Sequence, residues 1–262
     1  MTEHRAMRRS ATPRLSIVIS TLNASRTLAR CLDSVVAQSF RDFELIMIDG
    51  GSSDDTSEIA ARYGTLVTYF NSEPDSGIYD AWNKALRLVC GEWICFLGAD
   101  DRFTTPDALT RFSSMATYPE VTLVTARVDM TGTTGDVLRS SGQAWKLATM
   151  KKYMCVAHPG AWHHRSLFDT YGTFASAYRL AGDYEFLLRS AASIRAVFVP
   201  ESLVTMQLGG ISNRLFWLHV VENYSVLKGS SPSGRFYAMR FLLRAILGRG
   251  LRKLGLGTRG RH

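Results

Sequence analysis

The sequence has few cysteines, and none of them are paired at metal-binding spacing. Its four cysteines, Cys31, Cys90, Cys95 and Cys155, form no C-x-x-C motif, which disfavours a zinc knuckle or a disulfide framework and fits a reducing, cytoplasmic compartment. There is no run of eighteen uncharged apolar residues, and the opening MTEHRAMRRSATPR is polar and basic. The sequence therefore predicts neither a membrane-spanning helix nor a secretory signal.

Two common nucleotide-binding motifs are also missing. A dinucleotide-binding fold needs G-x-G-x-x-G directly after its first strand, but that turn reads STLNAS here. No G-x-x-x-x-G-K-[ST] motif occurs in the chain. These absences disfavour a Rossmann dehydrogenase and a P-loop kinase.

Acidic residues are absent from the last forty positions. Residues 223–262 hold nine Lys and Arg and no Asp or Glu, so the net charge of +8 comes from this segment. Its arginines alternate with large apolar residues, although Arg240 and Arg244 intrude on the apolar side and Gly248 and Gly250 should weaken a helix. We expect contact with an anionic membrane surface, the alternative being a solvated, frayed end. Nucleic acid is not expected, because no fold motif for it is present.

The first hundred residues alternate between strand-like and helix-like patterns. Such alternation predicts an α/β fold with a mainly parallel sheet, helices on its faces and a ligand crevice beyond the carboxyl ends of the strands. From about residue 120 the pattern loosens, and we interpret that half as the acceptor side of the same domain. The predicted strands are 15–20, 43–48, 66–70, 93–97, 121–128 and 196–199, and the predicted helices are 24–38, 54–63, 78–89 and 184–190.

Polar residues follow three of these strands and should meet in one crevice. Thr21 and Asn23 follow the first strand, Asp49 follows the second, and Asp100 and Asp101 follow the fourth. Two carboxylates after a buried strand suit Mg²⁺ or Mn²⁺; the alternatives are a helix cap or a solvated turn. Asp49 could bond a base or ribose, or could close a tight glycine turn.

Longer stretches resemble a known family. The segments SIVISTLNASRTLARCLDSVVAQSFRDFELIMIDGGSSDDT, PDSGIYDAWNKAL and GEWICFLGADD are similar to the nucleotide-binding half of family 2 glycosyltransferases of the GT-A fold. The resemblance is dense over 14–105 and sparser to 212, and is closest to the bacterial branch that builds surface polysaccharides and glycolipids. It implies a flexible 1–13, a nucleotide-sugar half (14–105), an acceptor half (106–212) and a basic, helical tail (213–262).

The resemblance also implies roles at the donor site. Thr21 and Leu22 would line the nucleotide base, and Asp49 would bond it. Asn23, which follows the first strand, is a further donor-site candidate. Asp100 takes the metal-coordinating position of the family's D-x-D motif, with Asp101 beside it. The first aspartate of that motif is replaced by Gly98, which puts tight metal binding in question.

Weaker donor-site candidates lie in the segment PDSGIYDAWNKAL. Asp75, Asn83 and Lys84 are these candidates. Lys84 could equally pair with Asp80, four residues before it.

On the acceptor side, the resemblance implies that Asp183 is the catalytic base. The alternative is a simple N-cap for the helix that follows it, and Glu185 is the second candidate base. His158 would contact the acceptor, unless it is an ordinary surface histidine.

The expected enzyme transfers a sugar, with inversion, from a UDP-, GDP- or dTDP-linked donor to a glycan or lipid-linked acceptor. It would act at the inner face of the cytoplasmic membrane. The alternatives are a Mg²⁺-dependent nucleotidyl- or phosphotransferase and a membrane-attached scaffold with a decayed site.

Overall fold

A computed structural model describes residues 12–132, 134–209, 215–230 and 233–253 of the chain, with side chains to residue 246 in the last range. The predicted flexible segment 1–13 lies largely outside these residues, as does most of GGIS. The described residues form the strands β1 (Leu15–Thr21), β2 (Phe43–Asp49), β3 (Tyr69–Ser72), β4 (Trp93–Gly98), β5 (Asp101–Phe103), β6 (Leu123–Thr131), β7 (Val137–Ser141), β8 (Ala161–His164) and β9 (Ala196–Gln207). The helices are α1 (Leu28–Val36), α2 (Thr56–Arg62), α3 (Ile78–Leu86), α4 (Ala108–Met115), α5 (Leu147–Met150), α6 (Arg165–Tyr171), α7 (Gly182–Arg189), α8 (Phe216–Ser230) and α9 (Gly234–Lys253).

The strands form one sheet in the order β3-β2-β1-β4-β8-β6-β9-β5, with β7 attached to β6. The first four strands pair in parallel, as predicted. Beyond β4 the sheet is mixed, because β8 runs antiparallel to both β4 and β6 while β6 and β9 are parallel. Strands from both halves of the chain therefore share one sheet.

The central strands are apolar throughout because both faces of the sheet are covered. In β1, Ile17 and Ile19 pack in the core beneath α1, whereas Val18 packs in a second core with residues of α3 and α7. The helical spacing of α1 buries Leu28 and Leu32 against the first of these cores. The α/β class predicted from alternating patterns is confirmed.

Several elements differ from the prediction. The third strand starts at Tyr69 rather than at 66, because the backbone N–H of Leu66 still bonds the turn after α2 at Tyr63. Strand β5 has three residues and pairs only with β9, about a hundred positions away, so no local pattern predicts it. Helix α9 continues over Gly248 and Gly250, which were expected to weaken it, and α8 and α9 pack against each other.

None of the helices among the described residues combines the length and the hydropathy needed to cross a bilayer.

Candidate active site

The carboxyl ends of β1 and β2 lie side by side, as the sequence predicts, and the end of β3 lies beside that of β2. Thr21 lies opposite Asp49 in the sheet register, and Asp49 lies opposite Ser72. The hydroxyl of Thr21 donates to Oδ1 of Asp49 at 2.6 Å, and the hydroxyl of Ser72 donates to Oδ2 at 2.6 Å. The end of β4 lies on the other side of β1, where Ser20 pairs with Gly98.

The Asp49 carboxylate is fully buried and fully hydrogen-bonded. Ser52 adds two donors, its hydroxyl to Oδ1 at 2.5 Å and its backbone N–H to Oδ2 at 2.8 Å. Burial raises the pKa of Asp49, but the hydrogen bonds from Ser52, Ser72 and Thr21 outweigh it and lower the pKa overall. Because protein donors fill the acceptor positions of the carboxylate, the predicted bond to a nucleotide base requires one donor to give way.

Leu22 and Asn23 follow Thr21 at the edge of the crevice. Leu22 is 60% exposed. Asn23 takes the left-handed conformation with φ 51°, which asparagine tolerates, and its side-chain oxygen accepts the backbone N–H of Ser53 at 2.9 Å. The loop after β1 is thus fixed to the loop after β2, and it leaves an apolar side chain available for ligand contact.

Asp75 reaches the glycine turn that follows Asp49. A Cβ atom at Gly50 would lie 2.7 Å from Oδ2 of Asp75, so the carboxylate fills the space where a side chain at position 50 would lie. Burial raises the pKa of Asp75, and the backbone N–H of Gly77 donates to its Oδ1 at 2.9 Å. Asp75 therefore lies against the turn after β2, a proximity that could not be inferred from the sequence, and its contact with a donor stays a prediction.

Asn83 and Lys84 are engaged with the protein itself. The Asn83 side chain bonds both backbone groups of Phe174, at 2.9 Å each. The ammonium group of Lys84 pairs with Glu73 at 3.0 Å and with Asp80 at 3.9 Å. The suggested pair with Asp80 is present, but the shorter contact is with Glu73. Both side chains brace loops beside the crevice, and direct donor contact stays a prediction.

The two aspartates after β4 crowd around Gly98. A Cβ atom there would lie 2.8 Å from Oδ2 of Asp101 and 2.9 Å from Oδ1 of Asp100. The backbone N–H of Gly98 donates to Oδ2 of Asp101 at 2.8 Å. Asp101 begins β5, so it caps no helix and the suggestion of a cap is wrong. The glycine in place of the first motif aspartate gives both carboxylates the room they occupy.

Burial affects both of these carboxyl groups. Burial, with the charge of Asp100, raises the pKa of Asp101 to about 8, and burial also raises the pKa of Asp100. Within the described part of the chain, Oδ1 of Asp101 is buried and has no hydrogen-bond partner. Mg²⁺ and Mn²⁺ prefer carboxylate oxygens as ligands, so Asp100 and Asp101 fit such an ion. Asp100, which is partly exposed, would bind the ion, and Asp101 would lie behind Asp100. No cluster of three His, Cys, Asp or Glu occurs among the described residues.

A cation that sequence reasoning missed stands beside these aspartates. The positive charge of Arg30, on α1, opposes the rise in the pKa of Asp100. Its guanidinium donates to the side-chain oxygen of Gln207 at 2.8 Å, which ties α1 to the end of β9. Helical spacing marks Arg30 only as a residue on the outer face of α1, so the sequence held no signal for this role.

Asp183 lies in the first turn of α7, whose N-cap is Ala181. The suggestion that Asp183 is only an N-cap is therefore wrong. Its Oδ1 accepts the hydroxyl of Tyr79 at 2.9 Å and the backbone N–H of Tyr184 at 2.8 Å. None of the hydrogen bonds among the described residues involves its Oδ2. Burial raises the pKa of Asp183, while these hydrogen bonds act in the opposite direction.

Two residues that the sequence did not single out hold Asp183 in place. Tyr79, on α3, is 4% exposed, and its ring lies where a Cβ atom at Gly182 would come within 2.9 Å. Glu222, on α8, accepts the backbone N–H groups of Arg179, Leu180 and Ala181 at 2.9, 2.7 and 3.0 Å. Tyr79 precedes the predicted acceptor half (106–212) and Glu222 follows it, so residues outside that half position the carboxylate of Asp183.

The other two acceptor-side candidates, Glu185 and His158, contact neighbouring side chains. Glu185 forms an ion pair with Arg189 at 2.8 Å, which leaves Asp183 as the stronger candidate base. His158 is 6% exposed and stacks on Trp82 with ring centroids 5.0 Å apart, so it is not a surface histidine. Burial lowers the pKa of His158 to about 3, which keeps the ring neutral. Acceptor contact by His158 stays a prediction.

Comparison with known sequences agrees with this geometry. The profile of the glycosyl transferase family 2 matches residues 16–172. The "PGL/p-HBAD biosynthesis glycosyltransferase" of Mycobacterium bovis is 34% identical over 216 residues, covering 78% of this chain and 81% of that protein. A glycosyltransferase of Mycobacterium tuberculosis, described as uncharacterized, is 27% identical over 206 residues, covering 78% and 79% of the two chains.

Solved structures share the architecture. S. aureus TarS (residues 1–349), solved in complex with UDP-GlcNAc, superposes with a TM-score of 0.65 at 16% identity, covering 91% of this chain and 73% of that one. The mannosyltransferase PcManGT from Pyrobaculum calidifontis, solved with GDP-Man and Mn²⁺, gives a TM-score of 0.63 at 17% identity, covering 97% and 83%. At such identity the likeness establishes the fold, a curled α/β sheet of the glycosyltransferase GT-A type.

Proposed function

The chain belongs to glycosyl transferase family 2, and we propose that it transfers a sugar from a nucleotide diphosphate donor to a hydroxyl of a lipid-linked acceptor, with inversion. The observation that carries the proposal is the carboxylate of Asp183. Its Oδ1 is fixed by Tyr79 and Tyr184, and its Oδ2 is left for a substrate.

In the proposed reaction, the acceptor hydroxyl oxygen attacks the anomeric carbon and forms the new C–O bond. The bond from that carbon to the diphosphate oxygen breaks, and the nucleotide diphosphate leaves with the electron pair. Oδ2 of Asp183 takes the hydroxyl proton. A single displacement of this kind inverts the anomeric centre, and burial of Asp183 raises its pKa in the direction that a general base requires.

The donor would lie across the ends of β1, β2 and β4. Exposed Leu22 offers an apolar surface to a base, while Thr21, Asn23, Asp49 and Asp75 provide the polar wall. Support comes from the neighbours solved with UDP-GlcNAc and GDP-Man, which share the fold. A UDP-, GDP- or dTDP-linked sugar is the proposed donor.

A divalent cation, Mg²⁺ or Mn²⁺, would be held by Asp100 with Asp101 behind it. When bound, such an ion neutralises charge on the leaving diphosphate. The orphaned Oδ1 of Asp101 and the crowding of both carboxylates at Gly98 support this assignment.

A lipid-linked acceptor fits the C-terminal helices. Phe236, Met239, Leu243 and Ile246 follow one another at helical spacing on α9, and each is 47–64% exposed. Such a stripe beside basic residues suits an anionic membrane surface, where we propose that the enzyme acts on the cytoplasmic side. The name of the mycobacterial relative, which refers to PGL biosynthesis, agrees with a glycolipid product.

The test begins with calorimetric titration of UDP, GDP and dTDP, with and without Mn²⁺, on wild type, Asp100→Ala and Asp183→Asn. We expect one nucleotide to bind in a metal-dependent manner, with loss in Asp100→Ala and unchanged affinity in Asp183→Asn. With the matching sugar donor and an acceptor, Asp183→Asn should reduce kcat by a factor of roughly 10²–10⁴.

Two outcomes would contradict the proposal. If no nucleotide binds in either condition, the scaffold alternative becomes the better explanation. If free sugar 1-phosphate or pyrophosphate is released, the chemistry is nucleotidyl or phosphoryl transfer.

A further inference from the structure

Helices α8 and α9, together with Lys152 and Tyr153, line a half-open cavity of about 700 Å³ that is separate from the donor crevice. Its wall is mainly apolar and aromatic and includes Val220, Tyr237 and Phe241. This volume lies within the range of pockets that hold small ligands, and an apolar wall of this kind suits an alkyl chain or a ring.

The charged residues that line the cavity all have the same sign. Lys152, Arg240 and Arg244 contribute cations, and none of the described residues that form the wall is acidic. Arg240 and Arg244 are the two arginines that break the apolar pattern of α9, and in the structure they face this cavity. Three cations beside an apolar wall favour a ligand that carries a negative charge next to an apolar part.

The cavity wall includes a neighbour of the candidate base. His219, on α8, is part of its wall, and His219 and Asp183 are close enough for each to shift the pKa of the other. One turn further along α8, Glu222 bonds the backbone that leads into α7. A ligand in the cavity would therefore lie beside the carboxylate that we assign to the acceptor hydroxyl.

We infer that this cavity binds the apolar, anionic portion of the acceptor: an alkyl chain or ring next to a phosphate or carboxylate that Lys152, Arg240 and Arg244 hold. The inference rests on the proposed function, because it places the acceptor hydroxyl at Asp183.

Charge argues against two other occupants. Residues 254–262 contain Arg259 and Arg261 and no acid, so they do not complement a basic wall. The same C-terminal segment of a second copy, residues 223–262, would bring nine basic residues and no Asp or Glu. An anionic amphiphile complements the cavity in both charge and polarity.

The probe for the test is dodecyl phosphate, used as monomers below its micelle concentration, with inorganic phosphate and neutral dodecyl maltoside as comparators. Ala245→Trp should fill the cavity, since Ala245 lies in its wall. Val221→Trp is the matched control, because Val221 is 58% exposed on α8 and lies outside the wall. The Arg240→Gln/Arg244→Gln double variant tests the charge, with Arg235→Gln, on the same helix but outside the wall, as its control.

We expect calorimetry to show dodecyl phosphate binding to wild type, at least tenfold weaker binding to Ala245→Trp and to the double arginine variant, and no change in the two controls. Dodecyl maltoside and inorganic phosphate should bind at least tenfold more weakly than dodecyl phosphate. The arginine variant keeps the test decisive if Ala245→Trp does not fold.

Other results would overturn the inference. Equal binding of dodecyl phosphate to wild type and to the folded wall variants would place the ligand elsewhere. Binding only to anionic-lipid vesicles, with none to monomers, would indicate a membrane surface rather than a cavity. Nucleotide titration of the same variants separates the two proposals: intact nucleotide binding without amphiphile binding refutes only the cavity, whereas amphiphile binding without nucleotide binding refutes the glycosyl transfer.

Discussion

The hydroxyl of Tyr79 lies 2.9 Å from Oδ1 of Asp183 and donates a hydrogen bond to it, although the two residues are 104 positions apart in the chain. Tyr79 belongs to α3, which follows the donor-side strands, and Asp183 belongs to α7 on the acceptor side. This part-buried hydrogen bond thus connects the donor side of the proposed site to the candidate base.

Replacing this tyrosine should change the pH dependence of catalysis. The hydrogen bond stabilises the charged carboxylate, so Tyr79→Phe should raise the pKa of Asp183 and move the acidic limb of kcat/KM to higher pH. At neutral pH we expect roughly a tenfold loss, the size of one hydrogen bond to a charged group. The loss should fade as the pH rises and the base ionises.

Tyr63→Phe is the matched control for this prediction, because the hydroxyl of Tyr63 also bonds an aspartate, Asp33, at 2.7 Å on α1. The control should show the same pH dependence of kcat/KM as wild type. A loss in Tyr79→Phe of the same size at every pH would show that the tyrosine acts only through packing.

Glu222 should behave as a positioning residue for the base. Glu222→Gln replaces an acceptor oxygen with a donor facing backbone N–H groups, which should lower the free energy of unfolding by about 1–3 kcal/mol. Because residues 179–181 lead into α7, we also expect kcat to fall while the KM for the donor stays constant. Exposed Glu201→Gln should change neither quantity. Loss of stability with an unchanged kcat would remove the positioning role.

Asp49 should contribute to stability in a pH-dependent way. Its pKa is lowered in the folded protein from the ordinary value of 3.8, so its contribution is complete above about pH 3.8 and is lost as the pH falls through the lower, folded-state pKa. Asp49→Asn should therefore reduce the free energy of unfolding by about 1–3 kcal/mol at pH 7, and by less at pH 3. Urea unfolding at both pH values measures this.

The control for Asp49 is Asp42→Asn, an exposed residue just before the same strand. It should match wild type at both pH values. An equal penalty for Asp49→Asn at pH 7 and pH 3 would mean that the charge of Asp49 plays no part.

Restoring the missing motif aspartate should destabilise the protein in the absence of metal. Gly98→Asp places a third carboxylate against Asp100 and Asp101, where even a Cβ atom comes within 2.8 Å of an oxygen. Gly98→Ala measures the steric part alone, about 1–3 kcal/mol, and Gly98→Asp should exceed it.

Mn²⁺ should recover more stability in Gly98→Asp than in Gly98→Ala, because a cation offsets like charge. Thermal unfolding with Mn²⁺ and with a chelator gives the comparison. If Mn²⁺ shifts the two variants equally, these carboxylates do not form a metal site.

Much of the fold could be predicted from local patterns. The apolar runs that became β1, β2 and β4 and the helical spacing of α1 are properties of short segments, and the polar residues after the strands indicated the crevice. Short β5 and the extension of β9 could not be predicted, because they pair with distant residues and their local sequences carry no periodic signal.

The candidate site divides in the same way. The sequence by itself determined which carboxylates stand at strand ends and at a helix start, Asp49, Asp100 and Asp183 among them, because those positions follow from local spacing. Only the tertiary structure decided their surroundings: Tyr79 on Asp183, Arg30 beside Asp100, and the backbone held by Glu222. The physical reason is that burial and hydrogen bonding, which set the pKa of a carboxylate, depend on groups that lie close in space and far apart in the chain.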